Sequence, residues 1–161
     1  MTDVRRLSVV GAVASMLALA ACSPAATGAL RVPGAMTDAT AAVPYLPAGR
    51  PATFGSIIVC AASADAPVTV TGVTLPQVVG GLTVTGFEVR PNPADEGGAP
   101  VGMASEPLDS PLLAPVTPGP GPAAPCEGTG GSEVLIEVIR PADADGCAPG
   151  GLDIHYRAAT G

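Results

Sequence analysis

The side chains that could do chemistry are few: four cysteines, Cys22, Cys60, Cys126 and Cys147, a single histidine, His155, and fourteen carboxylates. A nucleophilic hydrolase needs a base beside its nucleophile. His155 lies in Leu152-Asp153-Ile154-His155-Tyr156-Arg157, where strict alternation turns Leu152, Ile154 and Tyr156 inward. Asp153, His155 and Arg157 then face solvent together. No Gly-x-Ser-x-Gly elbow occurs. The expectation is an ordinary surface histidine, no catalytic residue, and a protein that is not an enzyme. Zinc needs several His or Cys ligands at suitable spacing, and the pool is too small. Asp143, Asp145 and Gly146 loosely match a calcium loop but lack the third acidic ligand and the distal Glu. No metal and no cofactor is therefore expected. The net charge of −7, with seven Arg and no Lys, argues against binding nucleic acid through its phosphates.

The N-terminus reads as an address. Arg5 and Arg6 form a positive start, and Leu7 to Leu19 is an uncharged apolar run too short for a comfortable transmembrane helix. Leu19-Ala20-Ala21-Cys22 follows at once and resembles the bacterial lipobox. That resemblance implies a signal peptide over 1–21, cleavage between Ala21 and Cys22, and diacylglycerol (palmitate-type chains) on the Cys22 sulfur. An ordinary secretory signal cut after Ala18-x-Ala20 is the alternative. Two acyl chains anchor stably where one holds marginally. The resemblance thus places the mature protein on the extracytoplasmic face of the cell membrane, with the membrane as one partner and an envelope protein as a candidate second. Leu7-Ser8-Val9 after the paired arginines lacks the Phe usual in a Tat signal, so Sec and Tat export both stay open.

Residues 22–50 are rich in Ala, Pro, Gly and Thr, without a period of 2 or 3.6. They read as a disordered tether with a mean reach of roughly 30 Å. The domain is expected over 51–161. Ser56 to Cys60 is a short apolar strand candidate. Val68 to Leu75 (VTVTGVTL) and Leu82 to Val89 (LTVTGFEV) alternate β-branched residues, the mark of half-buried strands. Gly72 and Gly86 sit at matching places and suggest bulges or close backbone approach. Pro76 to Gly81 would join the two as a hairpin. Residues 91–131 are dominated by Pro and Gly and read as an extended surface loop with one short strand near Leu112-Leu113. This loop is a candidate docking segment, with a plain spacer the blander reading. Ser132 to Arg140 puts Val134, Ile136 and Val138 on one face and is expected to form a final hairpin with 152–157 across Pro141 to Gly150. The pattern predicts an all-β domain, an antiparallel immunoglobulin-like β-sandwich of about five to seven short strands.

A strand ending in Cys, two VTVTG-type strands, a Cys ahead of "VLIEVIRP" and a closing "GLDIHYR" together resemble a group of uncharacterised actinobacterial secreted and lipid-anchored proteins. The likeness covers roughly residues 56–158. It bears on address and fold and implies no activity.

Outside the cell cysteines are expected to pair. With Cys22 taken by lipid, Cys60, Cys126 and Cys147 remain. Nine residues of strand span about 30 Å, whereas a disulfide needs Cα atoms within about 7 Å. Cys126–Cys147 would therefore require a loop folded back along a whole strand. Cys60–Cys126 and Cys60–Cys147 stay open on spacing, and the resemblance favours Cys60–Cys126. That pairing leaves Cys147 a free thiol beside Asp143 and Asp145, which would raise its pKa and blunt its reactivity. Two functions follow: a lipid-anchored, non-enzymatic binding or structural module, or a redox-linked surface protein using Cys147 or a labile disulfide.

Overall fold

The computed structural model describes residues 28–33, 46, 48–98, 101–113, 117–127, 130–141, 148 and 151–159. Within them the chain is all-β. Its strands are β1 (Leu30–Arg31), β2 (Pro51–Ala61), β3 (Val68–Thr74), β4 (Thr83–Pro91), β5 (Met103–Ala104), β6 (Gly121–Ala123), β7 (Ser132–Ile139) and β8 (Asp153–Ala158). The one helical element among the described residues is a 3₁₀ turn, Pro93–Glu96. Asn92 opens it, its side chain accepting the Ala94 N–H, and Gly97 closes it at φ +76°.

Two antiparallel sheets result. The larger runs β1-β2-β7-β4, with β5 also on β2; the smaller runs β6-β3-β8. Alternation supplies one apolar face to each, and these faces share a single buried cluster. Ala52 and Val59 of β2 and Val134, Ile136 and Val138 of β7 meet Val68, Val70 and Val73 of β3 and Ala123 of β6. With so few aromatics the core is mostly Val, Ile, Leu and Ala. Phe54 and Phe87 pack at its margin.

The strand positions of β3, β4, β7 and β8 match the alternation, and β2 contains the apolar Ser56 to Cys60 segment but begins earlier, at Pro51; two expected hairpins do not form. β3 pairs with β6 and β8, whereas β4 pairs with β7, so 68–75 and 82–89 lie in different sheets. The final pair separates likewise: β8 lies on β3, and β7 sits between β2 and β4. The reason lies in the faces. β7 is buried on both sides, while β8 is exposed at Asp153, His155, Tyr156 and Arg157. A strand wet on one side fits the edge of the smaller sheet; one dry on both needs the middle of the larger. Tyr156, expected inward, is 41% exposed.

Gly72 and Gly86 do mark bulges, since register shifts fall between Val70 and Gly72 on β3 and between Val84 and Gly86 on β4. Leu112-Leu113 is not a strand but a turn, closed by the Leu113 N–H on the Ser110 carbonyl. The proline-rich stretch instead contributes β5 and β6. The tether also needs correcting where it is described. Leu30 and Arg31 pair with Ala61 and Cys60, and Leu30 and Leu46 are buried in the core cluster. They are two of the large aliphatic residues in that small-residue stretch, and burying them offsets the entropy of ordering it.

Candidate functional site

The larger sheet has a second face, and the site is built there. On β7 the residues opposite in parity to Val134, Ile136 and Val138 are Glu133, Leu135 and Glu137. On β4 the matching face carries Gly86, Glu88 and Arg90, registered against Glu137, Leu135 and Glu133. Alternation alone would leave these in water. Residues 101–113 cross over them instead, burying Leu108 and Leu113 on this face, and Thr117 returns to it.

A proline-rich chain makes a poor extra strand, because each proline removes a donor. Its remaining N–H groups still need acceptors once covered. Side-chain oxygens of the sheet supply them. Glu133 Oε1 accepts the Val101 N–H at 2.8 Å, Glu137 Oε2 accepts Leu108 N–H at 2.9 Å, and Glu88 Oε1 accepts Thr117 N–H at 3.2 Å. On the opposite, core-facing side, Ser132 Oγ accepts the Ala124 N–H just after β6 at 3.0 Å. On β2, Thr53 Oγ1 donates to the Glu106 carbonyl at 2.8 Å.

Glu133 is the hub. It is wholly buried, at 0% exposure. Its Oε2 receives Arg90 Nε at 2.9 Å and Nη2 at 2.7 Å. Its Oε1 receives, besides Val101, the Ser56 N–H at 2.8 Å. A β2 bulge between Phe54 and Ile57 presents that N–H, with Ser56 at φ +63°. Four N–H donors on one carboxylate, two of them from a single guanidinium, compensate its loss of water. Gly55 lies where the crossing is tightest: a Cβ there would collide with the Val101 carbonyl and stand 2.6 Å from Glu133 Oε1.

Glu88 differs. It is 2% exposed, and its Oε2 has no hydrogen-bond partner. Desolvation pushes its carboxyl above the ordinary value, against the lowering effects of the Thr117 N–H and Arg90, and Glu133 adds repulsion. Burial thus disfavours the charged form relative to water.

Of the residues singled out from the sequence, Cys60 and Cys126 are joined, with Sγ–Sγ 2.02 Å and Cα–Cα 5.0 Å. The bridge ties the end of β2 in the larger sheet to the segment after β6 in the smaller. Main-chain bonds flank it, Ala61 N–H to Ala124 C=O and Cys126 N–H to Ala61 C=O. His155 is exposed, its Nε2 2.9 Å from Thr74 Oγ1 on β3. Ala21, Cys22, Asp143, Asp145 and Cys147 lie outside the described residues. Among the described residues no three His, Cys, Asp or Glu side chains come together as a metal site. The sequence reading missed Glu88, Arg90, Glu133 and Glu137. A signal was there: Glu133 and Glu137 interrupt an otherwise apolar run, beside a proline-rich stretch too poor in donors to pair as a regular strand.

No family model, curated protein or solved structure matches the chain. The fold and site therefore define its class by themselves: an all-β, disulfide-closed domain whose buried acids hold a proline-rich crossing against a sheet.

Proposed function

We propose that the protein is exported, cut before Cys22, lipidated there, and held on the extracytoplasmic face of the membrane, its β-domain acting as a non-enzymatic binding or structural module. One observation carries the non-enzymatic part. The ionisable groups at the crossing, the buried Glu88 and Glu133 and the half-buried Arg90 and Glu137, all bind main chain or one another. Catalytic groups must instead reach substrate. The Cys60–Cys126 bridge supports an oxidising compartment. Two antiparallel sheets on one core, with the chain changing sheets between β3 and β4 and between β7 and β8, support an immunoglobulin-like sandwich.

Mass spectrometry of the N-terminal peptide from the membrane fraction tests the address. The expected peptide begins at Cys22 and carries diacylglycerol. An unmodified Cys22, or a start elsewhere, defeats the reading. The redox alternative rests on Cys147 being the odd thiol once Cys60 and Cys126 pair. It requires rapid alkylation of Cys147 in the folded protein, and a slow or absent reaction eliminates it.

A further inference from the structure

We infer that the domain stands on the bilayer in one fixed sense, the end bearing the disulfide and the 62–67 loop toward the lipid and the 75–82 turn away from it. This rests on the lipid anchor at Cys22. The chain joins the fold far sooner than its composition suggests. Leu30 pairs with Ala61 and Arg31 with Cys60, and the Ala62 N–H bonds the Ala29 carbonyl at 2.8 Å. Gly28 lies against Tyr156, so close that a Cβ on it would come 2.7 Å from the phenol oxygen. Only Ser23 to Thr27 separate Cys22 from Gly28, and even fully extended that connection spans at most about 20 Å.

The chain enters at a defined end. Ala61, Val68, Ala123, Ser132 and Ala158 cluster there by register, whereas Pro51, Thr74, Thr83, Ile139 and Asp153 lie at the other. β2 has eleven residues, and a strand of that length runs about 35 Å. A leash shorter than the domain cannot let it turn over. The 75–82 turn, with Val78 and Val79 41% and 55% exposed, is therefore held away from the lipid.

The chain contains no Trp, so an introduced one is its sole indole. Asp65→Trp and Val79→Trp place it at the two ends, both exposed positions; Ala64→Trp and Gln77→Trp repeat the comparison should either variant misfold. The lipidated full chain is floated with phosphatidylcholine–phosphatidylglycerol vesicles carrying a dansyl headgroup acceptor. Several-fold stronger energy transfer is expected from Asp65→Trp than from Val79→Trp. A Gly/Ser insertion of about 60 residues before Thr27 should remove the difference, because a leash of that length has a mean reach of about 45 Å, beyond the length of the domain. Equal transfer from both ends of floating protein, or a difference that survives the insertion, overturns the fixed orientation. Protein that does not float and shows no transfer at either position refutes the anchor itself.

Discussion

β7 and β8 each carry charged residues on one face of a short strand, and the fold treats those faces oppositely. β8 lies at the edge of the smaller sheet, with Asp153, His155 and Arg157 in water. β7 lies inside the larger sheet, with Glu133 and Leu135 fully buried beneath the crossing. Charged strand residues thus have two outcomes, and what separates them is a third segment. Where a proline-rich crossing needs acceptors, charged residues become the adhesive between chain and sheet; where none arrives, they remain a solvated face.

The contrast can be broken most severely at Glu133. Glu133→Ala strips acceptors from Ser56 and Val101 and leaves Arg90 unpaired, so a loss of about 3–5 kcal/mol is expected in urea denaturation. His155→Ala on β8 should stay within about 0.5 kcal/mol. Similar losses at the two sites would show that the crossing does not matter.

The disulfide sharpens the comparison because it ties the two sheets together. The paired change Cys60→Ser with Cys126→Ser releases a loop with a sequence separation of 66 and should cost about 3 kcal/mol in the same assay. A double variant as stable as the parent would place the tie elsewhere.

Glycines give a smaller test. Gly55→Ala forces a methyl into the Val101 carbonyl and should cost about 2 kcal/mol through overpacking. Gly72→Ala on β3 meets only His155 carbon atoms, the nearest at 3.6 Å, and should cost much less. Matching thermal shifts in the two variants would contradict the close approach at Gly55.

The smallest effect is expected at Glu88. Its carboxyl is raised by burial, so between its unfolded value and its folded one the native state binds more protons than the unfolded state. Stability should therefore fall as pH rises through that window and level off above it. Glu88→Gln removes the titration and should be more stable than the parent at neutral pH, with a flatter profile. Denaturation midpoints across the acidic to neutral range check this; parallel profiles would mean that Glu88 titrates normally.

Much of the fold was legible in local pattern. Alternating residues located β3, β4, β7 and β8, the apolar run Ser56 to Cys60 located the second half of β2, and Gly72 and Gly86 marked the bulges. The Cys60–Cys126 bridge followed the resemblance that favoured it. Less could be read between 91 and 131. A proline-rich chain has no period to reveal which face it covers, and its donors bind acceptors far away along the sequence, such as Glu133 for Val101 and Glu137 for Leu108. The docking of Leu30 and Leu46 was hidden in the same way, by small-residue surroundings that resemble a linker.

By itself the sequence determined which segments are strands and where they bulge, because side-chain alternation and glycine freedom act within a few residues. Tertiary structure alone decided which strands pair, which face of β7 stays dry, and that Glu133 is a buried hub rather than a surface charge. Those outcomes depend on what covers a face, and a covering segment distant in sequence leaves no mark on the local pattern beneath it.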